Sequence, residues 1–209
     1  MNILFIGAHF DDIEIGCGGA IMKHLQQGDT VHMLVVTNSE YRDYNGKLLR
    51  SRNTAMEEGL AAAKVLGIKG VIILGYKTKT LQHDFKLIED INKIIDREKI
   101  DTVYTHWVYD THQDHSATGK CTLNAARHCK RILMYRSNWY SCAEQFKGNF
   151  YIDISDVMDK KIEAIKKHKS ECEKNGKAWL DFVIQKNRNS GIEMETEYAE
   201  CFEIVRYLT

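Results

Sequence analysis

Along the chain, short unbroken apolar runs alternate with longer stretches in which apolar residues recur at helical spacing. The run Asn-Ile-Leu-Phe-Ile-Gly at 2–7 has the length and composition of a strand buried on both faces, and 30–37 reads the same way. Between them, 18–27 predicts a helix with Ala20, Ile21 and Leu25 on one face and Gly28 just past its end. Residues 38–47 are polar, hold two tyrosines and predict a loop. The alanine- and leucine-rich stretch 48–66 predicts a long helix stopped by Gly67. A third strand at 70–74 leads through a loop at 75–83 to an amphipathic helix at 84–98, with Phe85, Ile88, Ile91, Ile94 and Ile95 inward. A fourth strand at 101–105, a loop at 106–115, a helix at 116–128 and a fifth strand at 131–135 follow. After them come a short strand at 151–154 and a helix at 157–168 with its lysines outward. Residues 169–195 are polar with weak periodicity, and 198–208 is apolar enough to pack back on the body as a helix or a strand.

Alternation of this kind predicts an α/β fold: a single domain over 1–209, Rossmann-like, with a mostly parallel sheet and helices on both faces. Ligands bind such sheets at the carboxyl ends of the strands. The 209 residues suffice for a sizeable core, and the apolar share of 44% is ordinary. Lys+Arg and Asp+Glu are both 29, so charge gives no sign of a nucleic-acid or membrane-surface partner. No apolar run approaches the roughly 20 residues that span a bilayer. None of the six cysteines stands in a C-x-x-C pair, which argues against a finger-type zinc site. Met1 leads into an apolar strand and not into a secretory leader, so the expected compartment is cytoplasmic, with reduced thiols. Proline is absent, which leaves glycine and hydrogen bonds to shape the loops.

Two clusters carry candidate chemistry. His9-Phe10-Asp11-Asp12 follows the first strand, and His112-Gln113-Asp114-His115 follows the fourth. In a parallel sheet both strand ends point the same way, so the clusters can converge. A histidine and an aspartate three apart can meet one metal ion and leave the adjacent Asp11 free for proton transfer. The alternatives are structural: an aspartate ahead of a helix is often a cap, and Asp114 or Ser116 could serve a polar helix start. One cap, however, needs one acceptor. Mixed imidazole and carboxylate ligands suit Zn²⁺ or a similar divalent transition ion better than Mg²⁺. Gly16-Cys17-Gly18-Gly19 invites a dinucleotide reading, but that fingerprint requires glycine at 21, where Ile21 stands.

The stretch Ala8-His9-Phe10-Asp11-Asp12-Ile13-Glu14, with Gly16, Gly18 and Gly19, resembles the first signature of the PIG-L/LmbE-like zinc deacetylases. His112-Gln113-Asp114-His115 resembles their second, and Tyr198-Ala199-Glu200-Cys201-Phe202 is similar to a motif near their carboxyl end. Members of that family remove acetyl from N-acetylglucosamine-type sugars on lipid, inositol, malate or antibiotic carriers. The resemblance implies an LmbE-like fold, with His9, Asp12 and His115 binding zinc and Asp11 as general base. It further implies that His112 steadies the oxyanion, with Asp114 orienting an imidazole and favouring its charged form, and that Glu14 supports the loop and the glycines a tight turn. The partner it implies is a small N-acetyl sugar conjugate; homo-oligomerisation stays open. Three departures bear on substrate. Phe10 stands where the family has proline; the loop after the third strand reads Gly75-Tyr76-Lys77-Thr78-Lys79 where an acidic residue is usual; and the family's arginine is best matched by Arg52. Arg52 and the loops 39–45 and 76–80 are therefore expected to shape the substrate end.

A catalytically inactive carbohydrate-binding protein of the same fold is the alternative. Trp107 and Tyr109 are the aromatic residues expected to touch substrate, while Trp139 is expected in the core, and Tyr140 could also line a sugar site. His24, His32, His83, His106, His128 and His168 show no partner in the sequence.

Overall fold

Strand alternation sends Ile3 and Phe5 to one face of the central sheet and Leu4 and Ile6 to the other. Each face has its own hydrophobic core, and this is why the run at 2–7 is apolar without interruption. The computed structural model describes residues 1–209. In chain order its elements begin β1 (Asn2–Gly7), α1 (Asp12–Gln26), β2 (Thr30–Thr37), β3 (Tyr41–Arg42), β4 (Leu48–Arg50), α2 (Arg52–Val65), β5 (Val71–Tyr76) and α3 (Phe85–Arg97). There follow β6 (Thr102–His106), α4 (Gln113–Ala125), β7 (Arg131–Tyr135), β8 (Phe150–Asp153), α5 (Met158–Ile165), α6 (Lys169–Asn175), α7 (Lys177–Glu193) and β9 (Ala199–Tyr207).

Seven strands form one sheet in the order β5-β2-β1-β6-β7-β9-β8. The first five are parallel; β9 runs antiparallel to both β7 and β8. Residues from α1, α2, α5 and α7 join the core on the Ile3 face, and α3 and α4 cover the Leu4 face. This is the α/β architecture expected from the alternation. The chain leaves β1 outward through β2 to β5, then returns to the other side of β1 with β6 and β7. That reversal opens a crevice between the carboxyl ends of β1 and β6, the place where open α/β sheets bind ligands.

Three helix boundaries differ from expectation. Helix α1 starts at Asp12, six residues before the predicted 18, so Gly16, Gly18 and Gly19 lie inside it and form no turn. Glycine disfavours helix by about 1 kcal/mol relative to alanine, but packing decides here. A Cβ at Gly16 would overlap the Tyr135 ring, and one at Gly19 the side chain of Ile154. The predicted helix over 48–66 gives up its first residues to β4, which pairs with β3 in a small antiparallel ribbon. Ser51 then caps α2 by accepting from the Thr54 amide. Helix α4 starts at Gln113, and the cap is neither Asp114 nor Ser116 but the His112 ring, whose Nδ1 accepts the Asp114 amide at 3.2 Å. The weakly periodic 169–195 folds into α6 and α7, and 198–208 is the strand β9.

The motif around Glu200 acts inside this frame. Glu200 lies on β9 with its carboxylate buried, accepting the Gly19 and Ala20 amides of α1 at 2.8 and 2.7 Å. Lys161 Nζ on α5, also buried, donates to it at 2.6 Å. These bonds tie three elements together beneath the helix that presents Asp12. Removing one member of a buried ion pair leaves the other charge without compensation, which costs about 3–5 kcal/mol. Lys161→Met is expected to lose stability on that scale in chemical denaturation, and a loss below about 1 kcal/mol would show that the pair carries no such strain.

Candidate active site

The crevice is a cleft of about 430 Å³, within the range of small-molecule sites. Its floor is built by four strand ends. β1 delivers His9, Asp11 and Asp12; β6 delivers His106 and the loop to His115; β2 delivers Ser39; β7 delivers Ser137 and Asn138.

Asp12 occupies the first turn of α1 and is nearly buried. His115 Nε2 lies 3.1 Å from its Oδ1, and His9 Nδ1 lies 3.2 Å from its Oδ2. Ligand atoms of His9, Asp12 and His115 all fall within 4.8 Å of one another. Ligands about 2.0–2.1 Å from a tetrahedral zinc sit about 3.3 Å apart, so the donor set and its spacing fit a divalent transition ion. Each member is braced from behind. Asp114 Oδ2 holds His9 Nε2 at 3.0 Å and accepts the Lys79 amide, while Oδ1 accepts the Leu81 amide. Asp110 Oδ2 lies 3.3 Å from His115 Nδ1 and is bound by Asn138 Nδ2 at 2.8 Å. Ser137 Oγ donates to Asp12 Oδ1 at 2.8 Å, and His106 Nε2 lies 3.1 Å from Oδ2. A carboxylate behind each imidazole is the usual outer support of metal-binding histidines.

The electrostatics follow from this crowding. Burial opposes the charged form of His9, yet its bonds to Asp114 and Asp12 win and lift it to about 9. Burial likewise opposes His115⁺, but Asp12 and Asp110 raise it to about 10. Two imidazolium groups thus neutralise the carboxylates, and a metal must displace their protons. Apparent metal affinity is therefore expected to climb as pH rises through neutrality toward these values. Uptake near neutral pH should release about two protons per ion. Chelator competition and proton-release measurements check both, and an affinity independent of pH would remove these histidines from the ligand set.

Asp11 differs from its neighbours. It occupies the N-cap position of α1 but makes no capping bond, and its carboxylate accepts no hydrogen bond from the chain. Its backbone has φ 116°, a conformation that L-residues rarely adopt. Strain of this kind costs of order 1–3 kcal/mol and clusters at functional sites. Burial, with the negative charges of Asp12 and Glu171, pushes the Asp11 carboxyl up to about 7. His112 lines the same cleft, its ring stacked on His115 with centroids 4.5 Å apart. Burial and the charges of His115 and His9 hold it down at about 4. It is therefore neutral, and acceptance at Nδ1 leaves the ring hydrogen on Nε2.

The family profile described as "PIG-L: GlcNAc-PI de-N-acetylase" matches residues 4–126. The chain belongs to this family. It is 34% identical over 177 residues to the protein of Escherichia coli (strain K12) named uncharacterized deacetylase YaiS, covering 81% of this chain and 91% of the relative. It is 26% identical over 212 residues to the probable N-acetyl-alpha-D-glucosaminyl L-malate deacetylase 2 of Bacillus subtilis (strain 168), covering 95% and 94%. Among solved structures, N,N'-diacetylchitobiose deacetylase from Pyrococcus horikoshii matches with a TM-score of 0.82 at 24% identity, over 98% of this chain and 83% of that one. The family and these relatives are deacetylases, a class of hydrolases.

Within this PIG-L fold, the residues expected to touch substrate fall differently. Arg52 does not line the cleft; Arg50 does, through its place on the ribbon. Buried, Arg50 donates to the Phe10 carbonyl at 3.3 Å and pairs with Glu58 at 3.1 Å and Glu171 at 3.5 Å. The sequence pattern conceals this, because a helix from 48 puts position 50 inside it, whereas 48–50 is strand and α2 begins at Arg52. Trp107 is buried under Arg136 and Phe146, and Tyr109 is exposed away from the cleft. Trp139, expected in the core, is 39% exposed and lines the cleft together with Tyr140. Five of the six histidines without an evident partner in the sequence have one. His106 backs Asp12, His168 Nε2 meets Glu14 Oε1 at 3.1 Å, His24 meets Asp29 and Tyr104, His83 Nε2 meets Asn124 Nδ2 at 3.2 Å, and His32 Nδ1 lies 3.8 Å from Glu98 Oε2. Glu14 thus braces the site from inside α1. Asp110 and Asn138 carry no signal in the sequence, because their work depends on β6 and β7 lying side by side.

Proposed function

We propose that this PIG-L protein is a zinc-dependent N-deacetylase that hydrolyses the acetamide of an N-acetylglucosamine-type sugar conjugate, giving acetate and a free amine. The observation that carries the reading is Asp11: a carboxylate free of structural bonds, on a strained backbone, lining the same cleft as His9, Asp12 and His115 at the sheet's reversal point. Two imidazoles and one carboxylate suit zinc better than magnesium. Zinc held by those three residues would polarise the acetyl carbonyl and acidify water at the site.

The chain's own groups supply the rest. Asp11, as carboxylate, takes a proton from the water that adds to the carbonyl carbon. His112 donates its Nε2–H to the oxygen on which charge develops. Asp11 then returns the proton to the departing nitrogen, so the C–N bond breaks to a neutral amine. Trp139, Tyr140, Trp179 and Phe182 give one wall of the cleft an aromatic surface suited to a sugar ring. An inactive sugar-binding protein would account for that wall but leaves the strain at Asp11 without purpose. We place the enzyme in the cytoplasm, a reading supported by its six free cysteines.

The test is release of acetate and free amine from N,N'-diacetylchitobiose and from N-acetylglucosaminyl conjugates. Activity is expected to vanish with chelator and to return with added zinc. No release from any of them by zinc-loaded protein would overturn the proposal.

A further inference from the structure

We infer that Ser39 and Arg50 are positioning residues for Asp11: together they hold the Phe10–Asp11 peptide in the orientation that keeps the Asp11 backbone strained and its carboxylate in the cleft. This rests on the deacetylase reading above and deepens it, by naming what aims the proton acceptor. The strain at Asp11, φ 116°, needs a constraint on both sides of the residue. On the carboxyl side α1 supplies it, because the Asp11 carbonyl accepts the Ile15 amide at 3.1 Å. On the amino side the main chain is pinned step by step. The Ala8 carbonyl accepts the Thr37 amide and hydroxyl at 2.9 and 2.8 Å, and the His9 amide donates to Asp12 Oδ2 at 2.7 Å.

Phe10 is then held at three points. Its amide donates to Ser39 Oγ at 2.9 Å, and its carbonyl accepts Arg50 Nη1 at 3.3 Å. Its buried ring lies so close to Gly59 of α2 that a Cβ at position 59 would overlap it. The Ser39 bond exists only because residue 10 has an N–H, which proline lacks. The Phe10–Asp11 peptide group is planar, so Asp11 can leave φ 116° only if that plane turns or the start of α1 moves. Turning the plane carries the Phe10 carbonyl away from Arg50. Both anchors are themselves fixed. Ser39 is buried, and its amide donates to Thr37 Oγ1 at 3.1 Å. Arg50 Nη2 meets Glu58 and, at 3.3 Å, His168 Nδ1, while Nη1 faces Glu171 as well as Phe10. Both terminal nitrogens of Arg50 are thus engaged by the chain. The polar groups that fix the peptide come from β2 and the ribbon, and the one polar side chain left without a bond is that of Asp11.

The experiment compares wild type with Ser39→Gly and Arg50→Lys, each loaded with zinc. Ser39→Gly removes the hydroxyl and suits the positive φ of 54° at that position. Arg50→Lys keeps a cation beside Glu58 and Glu171 but replaces the rigid fork with a single ammonium. Three quantities are read: kcat and KM on N,N'-diacetylchitobiose, zinc content, and the Asp11 backbone in a crystal structure of each variant. In both variants kcat is expected to fall by about 10- to 100-fold, the scale set by misplacing a reacting group by about 1 Å. KM and zinc content should stay as in wild type, and the Phe10–Asp11 peptide should turn so that Asp11 relaxes to negative φ. Ser39→Gly decides alone if Arg50→Lys does not fold. An Asp11 backbone that keeps its positive φ overturns the inference, and so does a loss that falls on KM, which would assign these residues to substrate binding. If wild type cleaves no acetamide, the deacetylase reading fails, while the crystal structures still decide whether Ser39 and Arg50 hold the peptide.

Discussion

Asp11→Asn is expected to lower turnover by about 10²–10⁴-fold, the usual contribution of a positioned general base, while leaving the divalent ion in place. The separation of the two effects follows from geometry. Asp11 stands outside the group of ligand atoms formed by His9, Asp12 and His115. It also holds no structural bond whose loss would disturb that group. Asparagine is nearly isosteric with aspartate, so it places the same side-chain bulk on the backbone at φ 116°. What disappears is the ability to take and return a proton. Metal content by elemental analysis and turnover with saturating zinc measure the two halves. An unchanged rate with metal bound would move the base elsewhere, and Asp114 would be the next carboxylate to test.

The pH dependence gives a second handle on the same residue. A base works ionised, so activity is lost as pH falls through the pKa of Asp11. Burial and two like charges set that value at about 7 in the metal-free site, and a neighbouring cation pulls it down. The acid limb of kcat/KM therefore lies at or below neutrality, and it should be absent from the residual activity of Asp11→Asn.

How far the sequence exposes all this depends on how local each cause is. β1, β2, β6 and β7 are legible because burial on both faces writes an unbroken apolar run. The two motifs are legible because they stand at strand ends, and a parallel sheet brings strand ends together. The start of α1 is not legible. Its glycines argue against helix by propensity, and the reason they are tolerated, the Tyr135 ring and Ile154 pressed against the helix, comes from segments over a hundred residues away. Arg50 is missed by two positions because pairing of β3 with β4 has no signal beyond a short polar stretch. His106, Asp110, Ser137 and Asn138 are polar residues in plausible loops or strand ends. Only the adjacency of β6 and β7 reveals that they surround Asp12 and His115. Trp139 and Trp107 exchange their expected places for a similar reason. Aromatic character shows in the sequence, but the side of the loop on which a ring lies does not.

Asp12→Ala is expected to abolish metal binding, taking zinc from about one ion per chain to a trace, and turnover with it. Asp12 is the residue on which both imidazoles converge: one oxygen faces His115 and the other His9. Without it, two histidines remain, and the metal keeps neither a third ligand nor a coordinating negative charge. Removal also deprives His9 and His115 of the carboxylate that raises their pKa values, so both imidazoles should titrate lower in the variant, observable by NMR in the metal-free protein. That second readout separates loss of a ligand from loss of fold. A graded comparison sharpens it. Asp110→Asn keeps all three ligands and removes only the charge behind His115. Changes of that kind cost about 10–100-fold in metal affinity, well short of abolition. Should Asp12→Ala retain a full complement of zinc, the convergence of β1 and β6 at the sheet's reversal would have some other purpose. Asp11 would then have no ion beside which to act.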